Sequence, residues 1–410
     1  MKMKIKTYCV YSLLIAAFAF RSAAQSARFP QISAPIQLTD NAHEHLFASY
    51  YGINSWSRNE RYATVLETDV KFRIPTAQDT ATLGLIDMRT HQFMPLAKTT
   101  AWNLQQGCMA HWLATNPDSV IIYNDKRNGK YVSVILNVLS RKELKVIPYP
   151  IAAVSHDGKE ALSINFSRLR ITREDYGYAG EGQDPKSTIP YPEDDGISLI
   201  NLQTGKAKMI VSLKQLRQMV PEITSNTGIE YIGHVLFSKA DSKIFFLARA
   251  IPVWNTTAFT INKDGTGLLR CFPDNWGGSH FDWLNDQELM VTTVYDAKQY
   301  SHVLFKPGTN NYRKLGGGKL DYDGHGTFSP DGKWMATDTY PATGTRNQTI
   351  YLLNMQTDSV LALGNFPEPA AYTGGWRADI HCRWSPKGDL IGFNSAHNGS
   401  RQVYMMKVKY

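Results

Sequence analysis

Four histidines, His234, His280, His325 and His381, share one offset: each stands three residues before a bulky aromatic, at Phe237, Trp283, Phe328 and Trp384. Side chains that recur at one register of equivalent elements point alike, so these imidazoles are expected to converge. Convergent imidazoles suit one divalent metal, zinc or manganese, with Cys382 as a soft ligand that would favour zinc. Three other stretches carry chemistry. Ala42-His43-Glu44-His45-Leu46-Phe47 offers two imidazoles and a carboxylate for acid–base work, although its histidines are too close together for a helical zincin motif. The run Gln105-Gln106-Gly107-Cys108-Met109-Ala110-His111-Trp112 sets amides, a thiol and His111 at another aromatic. Arg168 and Arg170 supply cations for carboxylates, and Tyr176 and Tyr178 supply phenols. With Trp56 beside Tyr50 and Tyr51, this is the mixture of aromatic faces and charged groups that a sugar site uses.

The elements that must position these residues are repeated. An aromatic or apolar residue, a Ser-Pro-Asp-Gly-like turn and an alternating apolar strand recur seven times. The clearest copies are Phe328-Ser329-Pro330-Asp331-Gly332 and Trp384-Ser385-Pro386-Lys387-Gly388; the others start at Trp56, Trp112, Val154, Phe237 and Trp283. Pro and Gly at these offsets make a tight turn, and the alternation after it reads as a strand. Stretches such as Val132–Leu136 and Thr349–Leu353 supply further strands, which gives four per copy. The prediction is an all-β chain, a seven-bladed β-propeller, with helical periodicity only near Ser212–Met219. At the register of the four histidines, the other three copies carry Ile53, Met109 and Ile151. The widest gap between copies holds a polar stretch, Arg173 to Pro192, which reads as a loop over one face.

Lys2, Lys4 and Lys6, the apolar run Tyr8 to Phe20 and Ser22-Ala23-Ala24 read as a signal peptide over residues 1–24, leaving 25–410 as one propeller domain. Export to the periplasm or the exterior is therefore expected, with no membrane partner. The basic residues of that segment carry half of the formal charge of +8, and the mild remainder suits an anionic glycan rather than a nucleic acid. Cys108, Cys271 and Cys382 are too few and too scattered for a disulfide framework. Phosphate loops, G-x-S-x-G elbows and C-x-x-C pairs are absent from the sequence, so nucleotide, serine-hydrolase and thiol-redox chemistry find no support.

Together, the run from His45 through Trp56, the Gln106–Trp112 segment, Tyr176-Gly177-Tyr178 and His381-Cys382-Arg383-Trp384-Ser385-Pro386 resemble propeller polysaccharide lyases of the ulvan-lyase type. They resemble equally the propeller α-L-rhamnosidases of gut Bacteroidetes, and the histidine ring is more distantly similar to oligogalacturonate lyases, which hold a metal in the channel. The resemblance implies a polysaccharide or oligosaccharide substrate containing rhamnose and uronic acid. For a lyase it implies His111 and Tyr176 as catalytic residues, with Arg168 or Arg170 neutralising the carboxylate and Tyr178 and Trp56 at the substrate. Tyr131 stands where the ulvan lyases carry a second histidine. That departure favours the rhamnosidase reading, an exo-acting hydrolase releasing L-rhamnose from glucuronic acid in arabinogalactan, with His45 as its acid–base residue. A glycan-binding propeller without catalysis, similar to TolB in its turns, is the third expectation.

Overall fold

The computed structural model describes residues 29–410 except 181–183, 221–228, 252–254, 273–277 and 295–298. The expected signal peptide lies outside the described residues. Seven antiparallel sheets follow one another around the ring: among the described residues six have four strands whose order in space repeats their order in sequence, and the seventh joins three late strands to two short ones from the start of the described chain. Their innermost strands are Glu44–Phe47, His111–Trp112, Ala153–Val154, Ile229–Phe237, Gly278–Trp283, Thr327–Phe328 and Arg383–Trp384, and we number the blades 1 to 7 in that order. The predicted seven-bladed propeller is the fold. Blade 7 is completed by the start of the chain: Gln31 pairs with Lys409 and Ile36 with Met405.

The repeat works as its composition predicts. In blade 6 the Ser329 hydroxyl bonds the Asp331 carboxylate and accepts the Trp334 amide, while Gly332 takes the left-handed φ of 68° that closes the turn. The strand that follows, Trp334–Asp338, pairs back on Thr327–Phe328. Because both faces of every blade are covered, the second strands are apolar runs rather than alternations. In Ile244-Phe245-Phe246-Leu247, Ile244 and Phe246 fill the gap toward blade 3, whereas Phe245 and Leu247 fill the gap toward blade 5. Each of the seven gaps holds one such apolar cluster.

Two short α-helices interrupt the sheets. Leu213–Met219 starts where periodicity predicts, on a capping box between Ser212 and Gln215. Phe166–Thr172, capped by the Asn165 side chain, is too short to show periodicity in the sequence. Among the described residues no helix is long and apolar enough to cross a membrane. Cys108, Cys271 and Cys382 are all free and buried.

Candidate active site

Inner strands alternate their side chains, so the register position and the residue two further on both face the channel. At two of the histidines the ladder is broken: the pairing shifts between Gly233 and Leu236 and again between Gly278 and Phe281. Bulges of this kind re-aim the residues inside them, here His234 and His280. His234 and His381 also hold left-handed backbone, at φ 53° and 51°, a conformation costly for residues other than glycine.

His280, His325 and His381 do converge. The His280 and His325 rings lie 3.9 Å apart, and the Nε2 atoms of His325 and His381 face each other at 3.2 Å. Asp379, two residues before His381, joins them: His325, Asp379 and His381 each offer one buried ligand atom, all within 4.8 Å of one another. Behind them stand two more carboxylates. His280 donates Nδ1–H to Asp323 at 2.9 Å, and His325 donates Nδ1–H to Asp338 at 2.8 Å. Although burial opposes it, the charge and hydrogen bond of His280 draw Asp323 down to about 2, so its carboxylate can only accept. A carboxylate on Nδ1 fixes the tautomer that turns Nε2 outward as a metal ligand. The donor set of imidazoles, one carboxylate and supporting carboxylates therefore fits a divalent cation. Cys382 is not part of it; its side chain packs in the apolar gap between blades 6 and 7, and burial keeps the thiol protonated.

His234, the fourth of the predicted ring, stands apart from this group. It lines a polar cleft of about 270 Å³ together with Arg173, Tyr176, Arg249, His280, Tyr340 and Arg377. Burial, then the positive charge of Arg249, holds its imidazole well below the ordinary histidine range, and its Nδ1 has no hydrogen-bond partner. Arg173 sits 4.5 Å over the Tyr176 ring and Arg377 5.4 Å over that of Tyr340. Burial and the neighbouring Asp379 hold the Tyr340 phenol far above its usual range, so it stays a proton donor.

The remaining expected residues fall elsewhere. Tyr50 and Tyr51 fill the channel at the level of the histidines, with Tyr51 anchored across it by the Phe281 amide at 2.8 Å. His111 lines a second cavity, which shares no residue with the cleft that holds Tyr176, so the two residues assigned to one lyase site are not brought together. Trp56 is wholly buried between blades 7 and 1. Tyr178 is buried too, stacked on Phe166 and accepting a hydrogen bond from Asn124. Arg170 is tied to Glu174 and to the Pro75 carbonyl.

Arg168 is buried, and its five N–H groups meet the Asp184 carboxylate and the carbonyls of Lys186, Ile189, Pro190 and Glu230. It thereby fastens the long loop to blade 4. Arg168→Ala is expected to destabilise the fold by about 3–5 kcal/mol, because Asp184 is left as an unpaired buried charge; the midpoint of denaturant unfolding measures this.

His45 is likewise buried. Its Nδ1 lies 3.0 Å from Gln402 Oε1 and its Nε2 3.3 Å from the partly exposed Glu67 carboxylate, at the seam of blades 7 and 1. His45→Ala is expected to cost about 1–3 kcal/mol of stability, because alanine makes neither of the buried ring's contacts to Gln402 and Glu67. Thermal unfolding measures this.

Among known proteins the chain matches no family and no curated sequence. Solved structures do resemble it. Oligogalacturonate lyase from Vibrio parahaemolyticus superposes with a TM-score of 0.65 at 13% identity, covering 93% of this chain and 98% of that one. An oligogalacturonate lyase in complex with manganese gives 0.66 at 16% identity, covering 92% and 93%. At such identities the likeness defines the class, a seven-bladed propeller over nearly the whole chain.

Proposed function

We propose that this protein is an exported lyase that cleaves acidic oligosaccharides beside a uronic acid by β-elimination. The observation that carries the reading is a cleft lined by three guanidiniums, a neutral imidazole and a protonated phenol, in which Arg377 pairs at 2.9 Å with Asp379 of a neighbouring donor set suited to a divalent metal. Elimination needs the carboxylate neutralised, the adjacent C–H proton removed and the departing glycosidic oxygen protonated. Arg173, Arg249 and Arg377 bind and orient the carboxylate. His234 takes the proton, the electrons of the C–H bond form the new double bond, and Tyr340 supplies a proton to the leaving oxygen. His325, Asp379 and His381 would hold a divalent metal, which when bound would supply Lewis-acid neutralisation of the carboxylate. The solved neighbours, named for oligogalacturonate and one of them a manganese complex, support both a uronate substrate and manganese over zinc.

This reading replaces the rhamnosidase expectation because the charged cleft, rather than the seam at His45, gathers groups able to bind an acid sugar. Incubation with oligogalacturonate, ulvan and gum arabic tests it. A lyase yields a product with a conjugated double bond absorbing in the near ultraviolet. Free rhamnose without that chromophore would return the reading to hydrolysis at His45, and binding without any product would leave a glycan-binding propeller.

A further inference from the structure

Beyond the tyrosine plug, the other end of the channel opens into a cavity of about 400 Å³. Its wall carries the residues two beyond the histidine register, among them His111, Asp282 and Arg383, and the repeat aromatics Trp112, Trp283 and Trp384. Arg383 is the unusual member. Its side chain is buried and stacked 4.2 Å over Phe47, and Nη1 bonds only the Ser49 carbonyl and the hydroxyls of Ser49 and Ser55. Nε and Nη2 have no hydrogen-bond partner. Burial lowers the guanidinium only to about 9, so it is charged at neutral pH.

No acid of the wall compensates it. Asp282 is engaged by the Phe328 amide at 2.9 Å and faces Lys239 at 3.9 Å. Among the described lining residues, Arg58 and Lys239 add positive charge and Asp282 is the sole carboxylate. Buried charge persists in proteins when a counter-charge meets it, and here the open volume beside Arg383 is where one can enter.

We propose that this cavity is a second binding site, for the oxyanion group of an acidic sugar, with Arg383 as the anchor and the partly exposed Trp112 as the face on which the ring packs. The flat C–H faces of a pyranose pack on indole rings, while Lys239 and Arg58 steer the carboxylate inward. Both free nitrogens lie beneath the surface, so occupancy turns the guanidinium off the Phe47 ring and into the cavity. The argument stands on Arg383 and its wall, and does not depend on the lyase reading.

Calorimetric titration of the whole protein with galacturonate, inorganic phosphate and neutral galactose tests the proposal. The expected result is a galacturonate equivalent in the wild type that is weakened at least tenfold in Arg383→Gln, whether or not the arginine cleft binds another, and negligible binding of galactose. A folded Arg383→Gln that titrates like the wild type overturns it. If circular dichroism shows that variant unfolded, Arg58→Ala/Lys239→Ala decides instead: an equivalent weakened several-fold supports the site, and an unchanged titration overturns it. Phosphate bound with no galacturonate overturns the sugar and leaves an inorganic-anion site.

Discussion

On the proposed lyase reading, alanine at both His325 and His381 is expected to lower formation of the unsaturated product about a thousandfold or more, while the propeller still folds. The two Nε2 atoms, 3.2 Å apart, are the closest pair in the candidate metal group, and Asp379 alone cannot hold a cation in their absence. Metal assistance of this kind is worth several kcal/mol of transition-state stabilisation, and each 1.36 kcal/mol is a factor of ten in rate. Three readouts separate this from simple damage. Elemental analysis is expected to find a stoichiometric divalent metal in the wild type and none in the variant. Chelation lowers the melting temperature of the wild type but not that of the variant, because a ligand bound only to the folded state stabilises it by mass action. Added manganese restores activity to the chelated wild type alone. A wild type that turns over fully after exhaustive chelation sinks the metal assignment.

The second large effect is at His234. His234→Ala is expected to lower kcat by about 10²–10⁴-fold, the usual worth of a positioned general base, with metal content unchanged. The residue touches the candidate ligands through neither a hydrogen bond nor an ion pair, and its Nδ1 has no structural partner to lose. Its left-handed backbone and bulged strand hold a neutral imidazole against Tyr176 and the arginines instead of in a ladder. Steady-state kinetics distinguish the roles: loss of a base falls on kcat, whereas loss of a binding contact raises KM. A variant with wild-type kcat would move the proton abstraction to another group of the cleft.

The blades and the histidine ring were legible because both depend on period. A turn chemistry repeated seven times and an aromatic at a fixed offset survive divergence, and register carries side-chain direction with it. Asp379 was within reach of the same logic, since i and i+2 of an extended segment share a face and Asp379 precedes His381 by two. Asp338, Arg249 and Tyr340 were not. Asp338 and Arg249 project from second strands and Tyr340 from the loop after one, and only the folded sheet brings them to the channel. Near the loop the sequence pointed to Arg168 and Arg170, whereas helix Phe166–Thr172 buries Arg168 and presents Arg173 from its C-cap to the cleft. A seven-residue helix leaves too little pattern to reveal that phase. His45 and Tyr178 carried site chemistry by type and by family resemblance, and the same polar atoms serve equally well to satisfy a blade seam.

The pairing of Gln31 with Lys409 has a kinetic meaning. The ring cannot shut until the strand Gln402–Lys409 meets Gln31, whatever has already formed between them, so closure is the most nonlocal strand pairing among the described residues and belongs among the late, slow events of folding. His325 and His381 come from the last two blades, and the closing strand lies directly against the sheet that carries His381. A chain in which Gln402–Lys409 has not yet paired would therefore hold an unfinished candidate ligand set, and any cation it takes is captured after that pairing rather than before it.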